Sequence, residues 1–276
     1  MTEGLDEALA RAAAVIAAAP EVALACHVTP DGDALGSMLA LHLALRAAGR
    51  RSIASFPEPF VIAEHYRSLV GLDTLTDPAA FPAAPAVMVT FDAGSIDRLG
   101  GLAASAAAAT ELIVIDHHVS NTRFGTINVI DPSAAASGVV VRRLLDALDL
   151  PLDHAVATDL YAALICDTGR FQYESTTTDV FALAQELAAF DLEIPSLSRT
   201  LFEEHRFQYL KLMGEAVDQM VLERDRGFVW TVVTQDMLAR HGCTMDEAEG
   251  LIDIVRRTRE AGVACVLKED DDGTVK

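Results

Sequence analysis

Aspartate and histidine recur at four places in this sequence where they could act together. The segment His27-Val-Thr-Pro-Asp31-Gly-Asp33 carries one imidazole and two carboxylates. Asp92 precedes Ala93-Gly94, Asp116-His117-His118 is a consecutive triplet, and Asp167 ends the apolar stretch Leu160–Cys166. Carboxylates packed together repel one another by several kcal/mol unless cations neutralise them. Oxygen donors mixed with imidazole suit manganese, magnesium and similar divalent ions better than a thiolate site would. Two such ions about 3.5–4 Å apart, sharing a carboxylate, clamp an in-line displacement at phosphorus. One ion lowers the pKa of a bridging water, and the pair neutralises charge on the attacked phosphoryl oxygens.

Taken singly, the motifs have ordinary readings. Asp-Gly-Asp is usually a turn, a His-His pair is usually structural, and Asp92 could cap a helix beside Gly94. An EF-hand loop is excluded because Ala34 and Leu35 stand where polar ligands are required. Their common position is what joins them. Val22–Cys26, Ala86–Phe91 and Leu112–Ile115 read as strands, each followed directly by one of the motifs, and Ser52–Ser55 reads as a weaker strand. Helical patterns at Ala34–Ala48 and Leu99–Ala109 lie between them. Apolar strands alternating with helices predict an α/β fold, a parallel sheet flanked by helices on both faces. Functional groups in such folds gather at the carboxyl ends of the strands, so the separate segments should converge on one edge.

Helices dominate next: Ala135–Leu148, Asp153–Cys166 with Asp153 as N-cap, Thr178–Ala189, and a connecting helix over Ile194–Gly214. Strands Met220–Arg224 and Phe228–Thr234 then flank a turn at Asp225–Gly227, followed by a helix at Met245–Thr258 and a strand at Val263–Lys268. The expected organisation is a catalytic domain over 1–190, a helical connector over 191–216 and a smaller α/β domain over 217–276.

Composition narrows the function. The 276 residues carry 41 acidic and 21 basic side chains, a formal net charge of −20, and 51% are hydrophobic. The apolar content excludes a disordered chain, and the charge argues against a broad electropositive face for long duplex nucleic acid. The N-terminus carries acids where a secretory signal carries bases, and no run approaches the ~18–20 apolar residues of a membrane span. A cytoplasmic protein with no membrane association is expected. Cys26, Cys166, Cys243 and Cys265 lack the spacing of a zinc knuckle or thioredoxin motif and read as reduced thiols.

The strings HVTPDGDALGS, TFDAGS, IDHHVSN and ALICDTGRF resemble the four motifs of the DHH phosphoesterase superfamily, named after the triplet found here at Asp116–His118. The likeness covers about residues 20–190, and the segment beyond resembles the start of the DHH-associated domain. The layout is most similar to the bifunctional oligoribonuclease (nanoRNase) and phosphoadenosine-phosphate (pAp) phosphatase group. This resemblance implies a manganese enzyme with two ions, for which magnesium or cobalt could substitute. It implies that His27 and Asp31 bind one ion, Asp33, His117 and Asp167 the other, and that Asp92 bridges them. His118 would orient the phosphate or protonate the leaving oxygen, and Asp116 would fix a histidine tautomer from behind. Arg170 and Asn121 would contact phosphate, and Phe171 or Tyr173 could stack on a base or pack in the core. Ser137-Gly138 opens a helix and could offer N–H groups to an anion.

The implied substrates are very short oligonucleotides (nanoRNA and pApA) and pAp, and a homodimer is compatible with the family. Cyclic di-AMP phosphodiesterase and inorganic pyrophosphatase are alternative activities, and a nucleotide-sensing module is the non-enzymatic one. Pyrophosphate is disfavoured because Ala261–Lys276 offers only Lys268 and Lys276 against the acids Glu269–Asp272. Loss of turnover is disfavoured because all six ligand candidates are present. The chain departs from its relatives in lacking a glycine-rich GGGH-type motif. Asp272-Gly273 is a hairpin-turn signal and Thr274-Val275-Lys276 reads as a returning strand cut short. The expectation is an incomplete second domain, with about 50–70 residues missing.

Overall fold

The apolar runs that precede the acid and histidine motifs form the centre of one parallel sheet. The computed structural model describes residues 4–270 and 273–275. The strands are β1 (Glu21–Cys26), β2 (Arg51–Ser55), β3 (Val87–Phe91), β4 (Glu111–Asp116) and β5 (Ile127–Ile130). They lie in the order β2-β1-β3-β4-β5, all parallel. The register aligns the strand ends. Cys26 pairs with Phe91, and Phe91 pairs with Ile115. The next residues, His27, Asp92 and Asp116, therefore stand in one row at the carboxyl edge.

The sheet is covered on both faces, as its apolar strands require. On one face Ala23, Met88 and Val114 pack against Leu99, Leu102 and Ala106. These belong to a 3-10 segment, Ile96–Leu102, and to α3 (Ala103–Ala108). The sequence predicts one helix there, but Gly100 at φ 48° interrupts it. On the other face lie α1 (Leu5–Ala18), α2 (Gly32–Ala47) and α4 (Ser137–Ala147), with α5 (His154–Asp167) packed on α2. Every residue of α2 from Gly32 to His42 is buried, as is α5 from Val156 to Ile165. Both helices are apolar all round because each is covered on more than one side.

Glycine sets how closely α2 and α5 approach. A Cβ at Gly36 would lie 2.4 Å from the Asp159 carbonyl oxygen, and one at Gly32 would lie 2.2 Å from Cys166 Sγ. That contact brings Asp167, at the end of α5, to the start of α2. Asp153 caps α5 as predicted, accepting from Val156 N–H at 2.9 Å. Next come α6 (Thr178–Ala188) and α7 (Ile194–Phe202).

The chain divides into two compact units at Leu201/Phe202. The segment 191–216 is thus not a free-standing connector. Its first part is α7, and its second part belongs to α8 (Phe207–Asp218), whose Tyr209, Leu212 and Ala216 enter the core of the second unit. That unit contains β6 (Val221–Glu223), β7 (Phe228–Val233), α9 (Gln235–His241), α10 (Ile252–Val255) and β8 (Val263–Lys268). Its sheet has the order β6-β7-β8. The predicted helix Met245–Thr258 is a 3-10 segment, Asp246–Leu251, continued by α10, with Gly250 weakening the helical tendency. After β8, Asp270 N–H donates to Thr274 O at 2.8 Å, and Glu269 pairs with Val275. Asp271, Asp272 and Lys276, which the hairpin and charge readings invoke, lie outside the described residues. No helix among the described residues is long and apolar enough to cross a membrane.

The α2–α5 contact makes a direct prediction. Gly36→Ala should lower stability by about 1–3 kcal/mol, because backbone must move to admit the methyl group. Gly214→Ala, on α8 where a Cβ meets nothing within 4 Å, should cost nothing or stabilise by about 0.5–1 kcal/mol. Urea midpoints followed by circular dichroism compare them, and equal midpoints would refute the contact's importance.

Candidate metal centre

The carboxyl edge of the first sheet gathers the predicted ligands from four chain segments. Asp31 caps α2, its Oδ1 accepting from the N–H groups of Asp33 and Ala34 at 3.0 Å each. This leaves Oδ2, which lies 3.9 Å from His27 Nε2. His27 Nδ1 lies 2.7 Å from the Val28 carbonyl oxygen, so that nitrogen carries the proton and Nε2 presents a lone pair.

Asp33 is completely buried. Its Oδ2 accepts from Ser137 N–H at 2.6 Å, and its Oδ1 accepts from Gly138 N–H at 2.9 Å and from Ser37 Oγ at 3.0 Å. Helix α4 has Ala136 at its N-cap, with no side chain to satisfy its first N–H groups. Asp33 does so from another helix. The Ser137 N–H that could serve an anion donates here to Asp33, and its Oγ donates to Asp92 Oδ1 at 3.1 Å.

Asp92 is buried and holds a left-handed backbone at φ 54°. Such strain in a non-glycine residue costs about 1–3 kcal/mol and clusters at functional sites. Its Oδ2 lies 3.5 Å from His27 Nε2, while its Oδ1 lies 3.5 Å from His117 Nε2 and 3.4 Å from His118 Nδ1. The two oxygens of one carboxylate thus face different histidines. His117 Nε2 also lies 3.0 Å from Asp167 Oδ2 and 3.9 Å from Asp33 Oδ2.

Asp116 sits fully buried behind this layer. Its Oδ1 accepts from the N–H groups of His117 and His118 at 2.8 and 3.2 Å, and from His118 Nδ1 at 2.7 Å. Its Oδ2 accepts from the Asn121 amide, which also donates to Ala93 O at 3.0 Å. Asn121 Oδ1 in turn accepts from Arg123 N–H at 2.6 Å. The Asn121 amide therefore ties the Asp116 loop to the loop after β3, where a phosphate contact was expected. Burial pushes the Asp116 carboxyl up, but the hydrogen bonds from His118 and Asn121 outweigh it and hold the group below its usual range. With Nδ1 bound to Asp116, His118 is left with Nε2, and its side chain is half exposed to the cleft.

Arg170 is half-buried in the turn after Asp167, with φ 60°. Phe171 packs against Leu164 and Val180 and stacks on Phe181 at 5.3 Å, so it is a core residue, while Tyr173 is exposed.

Three sets of donor atoms among the described residues lie within 4.8 Å of one another: His27/Asp31/Asp92, Asp33/His117/Asp167 and Asp92/His117/His118. The donor chemistry fits divalent cations. Burial and the neighbouring Asp92, Asp167 and Asp31 raise the Asp33 carboxyl well above its ordinary value. Burial pulls the His117 imidazole down, yet Asp167, Asp33 and Asp92 overcome it and push the group up to about 10. Both shifts say that this volume favours added positive charge. His117 Nε2 is buried with no partner in hydrogen-bonding geometry, despite its 3.0 Å approach to Asp167. A buried imidazole nitrogen this close to carboxylates is one whose proton a cation would replace.

Beside the cluster is a cleft of about 450 Å³, within the range of small-ligand sites. His27, Asp92 and His118 line it together with Ser95, Arg98, Ser120 and Thr122. Nothing in the sequence spacing of Arg98 and the hydroxyl residues marks them as neighbours of the ligand set.

With this geometry in place, comparison with known proteins assigns the chain to a family. Residues 21–190 match the DHH family, N-terminal domain, and the chain belongs to that family. It is similar to the bifunctional oligoribonuclease and PAP phosphatase NrnA of Thermus thermophilus, with 29% identity over 250 residues covering 91% of this chain and 73% of that protein. The protein of the same name from Bacillus subtilis is 26% identical over 251 residues, covering 89% of this chain and 77% of its own length. The fold is shared with an exopolyphosphatase-related protein from Bacteroides fragilis at a TM-score of 0.89 and 20% identity, covering 98% of this chain and 82% of the other.

The electrostatics predict how stability responds to pH. Groups whose pKa is raised on folding bind more protons folded than unfolded, so their contribution is lost as pH rises toward the folded value. Between pH 7 and 8.5, His117, whose pKa rises from its ordinary value to about 10, acts in this direction. His42, pushed down to about 4 by burial, titrates below that window. Chelator-treated protein should therefore melt at a lower temperature at pH 8.5 than at pH 7. Manganese should raise the melting temperature most at the higher pH, where fewer protons must be displaced. A manganese effect independent of pH would count against the assignment.

Proposed function

We propose that this chain is a manganese-dependent phosphoesterase using two ions to hydrolyse very short oligonucleotides such as nanoRNA and pApA, together with pAp. The placement of Asp92 carries this reading, with one oxygen toward His27 and the other toward His117. His27 and Asp31 would hold one ion, Asp33, His117 and Asp167 the second, and Asp92 would bridge them. Bound there, the ions supply charge neutralisation at phosphorus and an activated water at neutral pH.

The chain's own groups do the rest. Asp116 holds His118 by Nδ1, which leaves Nε2 to orient the phosphoryl group or to protonate the leaving oxygen. Asp33, fixed by the first N–H groups of α4, cannot swing away from the centre. Arg170 is the proposed further contact for a substrate phosphate. The names of the Thermus and Bacillus relatives support the choice of substrates. The small cleft supports short ligands over long duplexes. The same reading takes the enzyme as cytoplasmic, with magnesium or cobalt as weaker substitutes, a homodimer as its assembly, and residues 217–276 within a substrate-binding domain.

A substrate panel with manganese tests the proposal: pAp, pApA, a five-nucleotide RNA, cyclic di-AMP and pyrophosphate. Turnover of the first three should dominate, and preference for pyrophosphate would replace this reading. His118→Ala should lower kcat by about 10²–10⁴-fold, the range for a lost general acid. Asp116→Asn should cost about 10–100-fold, acting through the His118 it holds. Wild-type rates in either variant would remove that residue from the mechanism.

A further inference from the structure

The cleft beside the acid cluster contains a guanidinium that the proposed hydrolysis does not use. Arg98 is exposed on the 3-10 segment after β3, and it lines the cleft together with Ser120 and Thr122. No carboxylate among the described residues forms an ion pair with it, in a chain with 41 acidic and 21 basic side chains. One polar side-chain atom within hydrogen-bond distance of it is His27 Nδ1, 3.1 Å from Nη2. That nitrogen also lies 2.7 Å from the Val28 carbonyl oxygen, an acceptor, so it carries a proton and cannot accept another from Arg98. The fork of the guanidinium is therefore left for a ligand.

Its position is fixed by the backbone. Val28 N–H donates to Arg98 O at 2.9 Å. Gly100 lets the segment lie against Val28, whose Cγ1 would be 2.7 Å from a Cβ at that position. The placement is also offset. The carboxylates Asp31 and Asp92 face His27 on its Nε2 side, while Arg98 lies on the Nδ1 side. Arg98 is thus one imidazole ring away from the centre where phosphorus would react. Planar guanidinium forks bind phosphoryl oxygens in pairs, and the hydroxyls of Ser95 and Ser120 share the cleft.

We propose that Arg98, with Ser95 and Ser120, forms a subsite for a second phosphoryl group of the substrate, distinct from the one hydrolysed. The site then selects nucleotides that carry two phosphoryl groups over those that carry one. This rests on the phosphoesterase reading, and it specifies which short nucleotides are preferred.

The test compares pApA with ApA, which lacks the terminal phosphate, in manganese-loaded wild type, Arg98→Gln, Arg98→Lys and Ser120→Ala. Wild type should favour pApA. Arg98→Gln should lose about 10–100-fold in kcat/KM on pApA, mostly through KM, as expected for a lost charged hydrogen-bond pair. On ApA it should change by less than about threefold. Arg98→Lys should recover part of the preference, since it keeps the charge without the fork. Ser120→Ala, whose hydroxyl touches none of the proposed ligands, should move in the same direction by less. Equal losses on both substrates would make Arg98 a mere support for His27 and overturn the subsite. If wild type turns over neither dinucleotide, the phosphoesterase reading fails on its own. Calorimetry with pAp and AMP then decides the subsite. A preference for pAp in wild type that disappears in Arg98→Gln upholds it, and an unchanged ratio overturns it.

Discussion

Four carboxylates, those of Asp31, Asp33, Asp92 and Asp167, converge on two imidazoles at one edge of a parallel sheet. Their mutual repulsion is the constraint that the surrounding structure answers. Each acid is restrained by different means. Asp31 is held by the first turn of its own helix, and Asp33 by the first turn of α4. Asp92 is held by Ser137 and by a strained backbone. Asp167 is delivered by the close packing of α5 on α2. Partial positive charge from two helix N-termini offsets part of the repulsion. The rest remains as raised proton affinity at Asp33 and His117, which is the affinity a cation would use.

This constraint explains features that look unrelated in the sequence. Gly32 and Gly36 are required where α2 meets α5, because a larger residue would push Asp167 outward. Ala136 can sit at the start of α4 because its capping group comes from Asp33. Asn121 looks like an ordinary polar loop residue, yet its amide joins the buried carboxylate of Asp116 to the loop after β3. The formal charge of −20 takes on a local meaning too: two divalent ions would bring it to about −16, with the change concentrated at the site.

Much of this was legible from the chain itself. The strands before His27, Asp92 and Asp116 are continuous apolar runs, so their ends and the convergence of the motifs follow from periodicity. What was not legible depends on tertiary contacts. β5 contains only four residues with Asn128 among them, too short and too polar to stand out. The helix expected at Leu99–Ala109 fails at Gly100, where contact with Val28 decides the backbone. The connecting helix expected at Ile194–Gly214 is two helices, because α8 has its own core to join in the second unit. Ser137 and Asn121 read as anion contacts by type, but the anions they meet are the protein's own carboxylates. Arg98 gave no signal, since a lone arginine acquires meaning only from the cleft around it.

In the proposed centre Asp92 would stand between two cation sites built by the remaining ligands. Anomalous diffraction at the manganese edge, from crystals grown with the ion, decides this. Two peaks are expected, one on each side of the Asp92 carboxylate, adjoining His27/Asp31 and Asp33/His117/Asp167. A single peak, or peaks that do not share Asp92, would rule the bridge out.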